Sequence, residues 1–153
     1  MMTAGYAEAG LMSEAGEDVS GAYSTWVFLN TRPYRSATHG NRFVNNFANQ
    51  TGAAEYGTFE DGGAMPEGAV LAKDSFVVTA KGQVTTGPLF AMEKMAAGFN
   101  EASGDWRYTL VMPDGTIAGT TNGAGSDQVG FCIDCHLAAE RDSMFFMPDE
   151  FRQ

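Results

Sequence analysis

Residues 69–95 read AVLAKDSFVVTAKGQVTTGPLFAMEKM, two β-prone runs joined by a short turn. The runs at residues 69–79 and 83–95 are rich in β-branched and aromatic side chains. The turn at residues 80–82 ends in a glycine, which tolerates the positive φ of a tight turn. This stretch therefore predicts an antiparallel pair of strands, and it decides the fold class.

Further strands and a few helices are predicted around this pair. Residues 41–49 alternate apolar and polar side chains as a strand, and residues 105–112 predict another. The turn signal Pro113-Asp114-Gly115 returns the chain as a hairpin partner over residues 116–120. Helices are predicted over residues 18–30, 50–56 and 129–141. The sequence thus predicts an α+β fold, mainly an antiparallel β-sheet packed with a few helices, one of them near the C-terminus.

The chain is predicted to hold one domain. Its 153 residues fit one ordinary core, and 44% hydrophobic against 18% charged residues can bury enough apolar surface to fold. Residues 1–17 are small, polar and acidic without periodicity, which predicts a flexible N-terminal arm. The single domain is then expected over residues 18–153.

The charge balance excludes some partners. Nine Lys and Arg against nineteen Asp and Glu give a net charge of −10, and no basic cluster could neutralise a phosphate backbone. Nucleic acid is therefore not expected as a partner. No apolar run approaches the roughly 20 residues that span a bilayer, so no membrane insertion is expected. An acidic surface is compatible with a soluble, basic redox partner or with a small neutral substrate.

Both cysteines of the chain lie in the motif Cys132-Ile133-Asp134-Cys135-His136. This is the attachment pattern of c-type haem. In a helix the two thiols match the separation of the two haem vinyl groups and form thioethers with them. His136 then presents an imidazole nitrogen to the iron. The motif predicts covalent haem c with His136 as the iron ligand.

Two other interpretations of the motif stay open. A redox-active or structural disulfide between Cys132 and Cys135 would require a preceding strand and a βαβ setting. A closed zinc site would require four ligands, so carboxylates would have to join the two histidines, His39 and His136.

The other axial position of the iron decides what the haem does. His39 is the only other histidine, and several methionines could ligate a low-spin electron carrier. They are Met92, Met95, Met112, Met144 and Met147. An open sixth position would instead bind a small molecule. Spacing alone does not choose among these.

Haem attachment to a cysteine pair is a chemistry of exported bacterial proteins. Residues 1–20 do not show the charged start and apolar stretch of an export signal. We therefore expect a periplasmic protein whose signal lies outside the printed sequence.

From about Trp26 to Phe146 the sequence resembles the cytochrome P-460 family, which also includes the cytochrome c′-beta proteins. The resemblance rests on four ordered elements, of which the haem motif is the specific one. They are Gly68-Ala69-Val70-Leu71-Ala72-Lys73, Gly104-Asp105-Trp106, Cys132 to His136, and Asp142-Ser143-Met144-Phe145-Phe146.

The resemblance implies a largely antiparallel sheet, a homodimer built through that sheet, and a five-coordinate haem with His136 as proximal ligand. In members that oxidise hydroxylamine, a lysine is bonded to a porphyrin carbon. Lys73 stands at the position that resembles it, and Lys81 is the nearest alternative. Such a bond would perturb the electronic structure of the haem.

Hydroxylamine-oxidising members also use a distal carboxylate for proton transfer. When the sequence is read backward from Trp106 without gaps, Phe90 occupies the position of that carboxylate. Glu93 would act as the carboxylate only if the strand register were shifted. A phenylalanine there resembles the cytochrome c′-beta type, which binds nitric oxide in an apolar pocket. The leading hypothesis is a mono-haem oxidoreductase acting on hydroxylamine or a nitrogen oxide, with Lys73 and Glu93 as catalytic candidates. The alternatives are a protein that binds nitric oxide or another diatomic gas, and a low-spin electron carrier.

Overall fold

The pair of strands predicted at residues 69–95 lies inside an eight-stranded antiparallel sheet. The computed structural model describes residues 4–153. The strands are β1 (Val27–Phe28), β2 (Tyr34–Ser36), β3 (Arg42–Ala48), β4 (Val70–Val78), β5 (Val84–Thr86), β6 (Leu89–Lys94), β7 (Trp106–Val111) and β8 (Ile117–Thr120). Their order is β1-β3-β4-β6-β7-β8, with β2 also paired to β3 and β5 to β4. The predicted α+β fold, mainly an antiparallel sheet with a few helices, is confirmed.

The second predicted run, residues 83–95, forms two strands rather than one. Pro88 separates β5 from β6, because proline has no N–H to donate to a neighbouring strand. β5 pairs with the outer half of β4, whereas β6 pairs with its inner half. Lys73, near the middle of β4, lies opposite Asn46 of β3 and Phe90 of β6.

The helices are short. They are α1 (Ala4–Ala7), α2 (Val19–Ala22), α3 (Gln50–Tyr56) and α4 (Gly130–His136). α3 has the predicted bounds, and the Asn49 side chain caps it by accepting from the backbone N–H of Gly52. Within residues 4–153 no helix is long and apolar enough to cross a membrane.

The long helix predicted over residues 18–30 is wrong. Asp18 does cap a helix, accepting from the N–H of Gly21, but α2 ends at Ala22 and a 3-10 turn follows over Tyr23–Thr25. Val27 and Phe28 then pair with β3 at the edge of the sheet. This long-range pairing outweighs the local helical spacing.

The two faces of the sheet carry different cores. Side chains alternate along a strand, so Lys73, Phe90, Met92 and Tyr108 share one face, opposite each other on neighbouring strands. A large cluster that includes Trp106, Tyr108, Met144 and part of α4 covers this face. The opposite face packs against the N-terminal segment.

The N-terminal segment, predicted as a flexible arm, is packed on the sheet from the start of the described residues. Tyr6 is fully buried, meets the ring of Tyr23 edge to face, and donates its hydroxyl hydrogen to the carbonyl of Gly87. Residues 1–3 of the predicted arm lie outside the described part of the chain. The small and polar composition of residues 1–17 did not indicate that their one aromatic side chain, Tyr6, would be buried against the sheet.

Candidate functional site

The helix α4 carries both cysteines of the motif. The fully buried Val129 anchors its start, and His136 is its last residue. Cys132 and Cys135 are three positions apart and therefore share one side of the helix. Both are free thiols, with Cys132 half-buried and Cys135 exposed. Burial raises the pKa of the Cys132 thiol to about 11, so it is protonated at neutral pH.

His136 is oriented through its Nδ1 atom. This nitrogen lies 2.7 Å from the carbonyl oxygen of Ser143, so Nδ1–H donates and Nε2 is left with its lone pair. The rings of Tyr108 and Phe145 pack on the imidazole at centroid distances of 5.2 and 5.3 Å. Burial lowers the pKa of His136 to about 4, which keeps the ring neutral. A neutral imidazole held in this way is the form that ligates a metal.

The segment that supplies this carbonyl has an unusual backbone. Asp142 and Ser143 both have positive φ, 43° and 61°, a region that costs a non-glycine residue of order 1–3 kcal/mol. Three contacts of Asp142 hold the segment in place. Its carboxylate accepts from Lys94 Nζ at 2.6 Å and from the N–H of Met65 at 2.8 Å, and its carbonyl accepts from the Trp106 indole at 2.8 Å.

The motif opens onto a cavity between α4 and the sheet. The space between the walls is about 840 Å³, a figure that includes the open solvent at its mouth. Its walls are mainly apolar and aromatic. The lining residues used below are His39, Asn46, Lys73, Phe90, Met92, Tyr108, Cys132, Cys135, His136, Met144 and Phe145.

Lys73 lines this cavity from β4. Burial lowers the pKa of its amine from 10.5 to about 8. Near pH 8 a substantial fraction of the amine is therefore uncharged. Within residues 4–153 the amine has no hydrogen-bond or ion-pair partner. The structure thus brings Lys73 together with Cys132, Cys135 and His136.

Phe90 and His39 line the same cavity. Their rings meet edge to face with centroids 4.7 Å apart. His39 ends a 3-10 turn, Ala37–His39, and its Nδ1 lies 2.7 Å from the hydroxyl oxygen of Ser36. Burial lowers the pKa of His39 to about 3, so this imidazole is also neutral. The sequence marked His39 only as one of several possible sixth ligands.

Glu93 lies on the other face of the sheet and does not line the cavity. It is three residues from Phe90 on β6, and an odd separation reverses the side of a strand. Its carboxylate is buried in an ion pair with Arg107 and accepts from the N–H of Glu14 at 2.7 Å. Glu93 is therefore not available as the proton acceptor of this cavity. Of the methionines considered as ligands, Met92 and Met144 line the cavity, whereas Met95, Met112 and Met147 do not.

The cavity contains buried polar atoms that lack partners. Among residues 4–153, Asn46 Oδ1 and the Tyr108 hydroxyl are buried without a hydrogen bond, and both residues line the cavity. An unpaired buried polar group costs about 1–3 kcal/mol. A bound group that supplies partners would remove this cost.

The residues fit a covalently held haem better than the two other interpretations of the motif. Two thiols on one side of a helix, a neutral imidazole and an apolar cavity match the requirements of haem c. Every strand pairing of the described sheet is antiparallel, so the βαβ setting of a thioredoxin-like disulfide is not found there. Nor does any group of three His, Cys, Asp or Glu in residues 4–153 form a metal site.

Comparison with known proteins agrees with this donor set. Residues 21–147, most of the chain, match the model of the protein family described as Cytochrome P460. No curated protein matches the sequence.

Proposed function

The chain belongs to the cytochrome P460 family and is a c-type haem protein, and we propose that it acts as an oxidoreductase on hydroxylamine or a nitrogen oxide. The observation that carries this proposal is the placement of the Lys73 amine in the same apolar cavity as Cys132, Cys135 and His136. When bound, the haem supplies an iron that exchanges single electrons and can coordinate a small nitrogenous ligand.

The side chains around the cavity have different roles toward the haem. Cys132 and Cys135 would hold the haem covalently, and His136, whose ring is oriented by the Ser143 carbonyl, would ligate its iron. Lys73 is the residue that the family resemblance implies as a cross-link to the porphyrin. Its depressed pKa of about 8 favours the uncharged amine, which is the nucleophilic form. Phe90 and the other aromatic residues of the cavity wall would limit the access of bulk water to a ligand bound there.

A second candidate function is the binding of nitric oxide or another diatomic gas. Two observations favour it: Phe90 lines the cavity, and no Asp or Glu among residues 4–153 lines it, the Glu93 carboxylate being paired with Arg107 on the other face of the sheet. A gas-binding site needs an apolar wall and no proton acceptor, whereas hydroxylamine oxidation needs a group that takes protons.

The cellular setting follows from the chemistry. An oxidoreductase of this kind passes electrons to a soluble redox partner, and a net charge of −10 would steer a basic one toward it. Haem attachment through a cysteine pair supports a periplasmic location. A homodimer built through the sheet stays a prediction.

The test uses the full chain produced in a periplasm with haem attachment machinery. We expect a mass increase of one haem and, in the reduced protein, an absorption band well to the red of an ordinary c-type haem. Hydroxylamine with an artificial electron acceptor should be turned over.

Variants of Lys73 make this test specific. Lys73→Ala and Lys73→Arg should both lose the red-shifted band. Alanine has no amine, and the guanidinium of arginine stays protonated and is not nucleophilic. The matched control is Lys81→Ala, since Lys81 is exposed in the turn between β4 and β5. Loss of the band in Lys81→Ala would overturn the assignment of Lys73. A wild-type protein that binds nitric oxide without turning over hydroxylamine would favour the second function.

A further inference from the structure

One amide oxygen in the cavity wall has no hydrogen-bond partner. Asn46 lines the cavity and is only 4% exposed. Its backbone N–H donates to Asn30 Oδ1 at 2.7 Å, its carbonyl accepts from the N–H of Leu29 at 2.9 Å, and its Nδ2 donates to the Tyr34 hydroxyl at 2.9 Å. Oδ1 alone stays unpaired within residues 4–153. The amide is therefore held in place with one acceptor left over.

Asn46 lies in a row of side chains that crosses three strands of the cavity wall. Its Cα pairs with that of Lys73 on β4, and Lys73 pairs in turn with Phe90 on β6. Side chains directly opposite each other on antiparallel strands have Cβ atoms about 4.5–5.5 Å apart. Even so, the Lys73 amine is not bonded to Asn46 Oδ1, which has no partner in the described part of the chain. A donor and an acceptor, both unpaired, thus lie side by side in the cavity.

The haem has no group that pairs with Asn46 Oδ1. Once the four porphyrin nitrogens bind iron, the macrocycle has no N–H to donate, and its carboxylates accept hydrogen bonds. The other unpaired atom, the Tyr108 hydroxyl, differs because it can donate to such a carboxylate. Asn46 Oδ1 therefore fits a small molecule that carries N–H or O–H groups.

We infer that Asn46 is a specificity-determining residue and that, with Lys73, it forms a polar subsite selecting hydroxylamine-like ligands with hydrogen-bond donors over diatomic gases. The inference rests on the proposed function and adds how its substrate is distinguished from nitric oxide. Hydroxylamine has N–H and O–H groups that donate to Asn46 Oδ1, and its lone pairs accept from the Lys73 amine. Nitric oxide has no hydrogen, so it leaves the buried Oδ1 unpaired, and a site of this kind disfavours a ligand without the donor.

The test is the ratio of two affinities in the haem-loaded full chain, because a general disturbance of the cavity changes both affinities alike. Hydroxylamine and nitric oxide are each titrated without oxygen or an electron acceptor, and binding is followed by stopped-flow visible absorption. Asn46→Leu keeps the side-chain volume and removes the acceptor. We expect its affinity for hydroxylamine to be about three- to tenfold weaker, as for the loss of one hydrogen bond, and its affinity for nitric oxide to be unchanged.

A second variant covers the case in which Asn46→Leu folds poorly. The double variant Tyr34→Phe, Asn46→Leu removes both partners of an inner hydrogen bond, so the buried Tyr34 hydroxyl is not left alone. It should show the same change in the affinity ratio. Met92→Leu is the matched control, because it changes an apolar side chain of the same cavity at nearly constant volume and should keep the wild-type ratio.

The outcomes separate this inference from the proposed function. A wild-type ratio in Asn46→Leu and in the double variant would overturn the role of Asn46, whatever the turnover of hydroxylamine. Loss of the red-shifted band in these variants would also overturn it, since Asn46 would then act on Lys73 and not on the ligand. A changed ratio in a protein that never turns over hydroxylamine would support the subsite and remove the proposed activity.

Discussion

The carbonyl oxygen of Ser143 lies 2.7 Å from Nδ1 of His136, although the two residues are separated by a loop that leaves the helix. Ser143 has a φ of 61°, and its neighbour Asp142 has a φ of 43°. The Lys94 amine and the Trp106 indole hold Asp142 in this conformation. The acidic residue before the aromatic segment thus acts as a brace for the proximal histidine rather than as a group in the cavity.

Asp142→Asn tests this brace. The amide cannot balance the charge of Lys94, whose side chain is only 15% exposed. We expect a loss of about 2 kcal/mol in the free energy of unfolding, measured with urea, because one partner of a largely buried pair is left alone. Activity should fall about tenfold, as is typical when the group that orients a metal ligand is loosened.

The matched control is Glu60→Gln, another carboxylate-to-amide change. Glu60 pairs with Arg152, but its side chain is 62% exposed. Exposed pairs contribute little, so unfolding and activity should stay close to those of the wild type. Equal losses in both variants would mean that Asp142 contributes only a surface charge.

Most of the sheet could be predicted because its signals are local. Alternation and turn residues predicted the strands that became β3, β4, β7 and β8, and the helix predicted over residues 50–56 has the expected bounds. The errors came from long-range contacts. β1 replaces a predicted helix because it pairs with β3, and the N-terminal segment is ordered because Tyr6 enters a core made by distant strands.

In the candidate site, too, the residues close together in the chain could be predicted, whereas those brought together by tertiary folding could not. Cys132, Cys135 and His136 are adjacent in the chain, so their chemistry was visible in the sequence, and Lys73 followed from the family resemblance. His39 was one of several candidate sixth ligands in the sequence, and its place in the cavity depends on tertiary folding, so the sequence could not choose it. The exclusion of Glu93 was accessible in principle, since Phe90 and Glu93 are three positions apart and a strand has a period of two.

Glu93→Gln tests the placement of Glu93 outside the cavity. The variant should lower the free energy of unfolding by about 2 kcal/mol, because the buried carboxylate pairs with Arg107 and accepts from the N–H of Glu14. The visible spectrum and hydroxylamine turnover of the haem-loaded protein should not change. A lower turnover with unchanged stability would show instead that this carboxylate reaches the substrate.

Tyr6→Ala tests the packing of the N-terminal segment. Tyr6 is fully buried against Tyr23, so removing its ring should cost about 3–5 kcal/mol of unfolding free energy. Tyr6→Phe is the control: it keeps the ring and loses only the hydrogen bond to Gly87, at a cost of about 1 kcal/mol. A flexible arm would leave both variants as stable as the wild type in urea.

The buried amine of Lys73 should make the haem-free protein more stable as the pH rises. Burial lowers the pKa of Lys73 from 10.5 to about 8 in the folded chain. Between these values the unfolded chain binds a proton that the folded chain does not, so the free energy of unfolding increases with pH in this window. The full gain is at most about 3 kcal/mol, reached near pH 10.5. Lys73→Met has no amine to titrate at this position and should show a flatter profile in urea unfolding from pH 7 to 10. Identical pH profiles for the two proteins would mean that the amine reaches water in the folded state and is not held in the cavity.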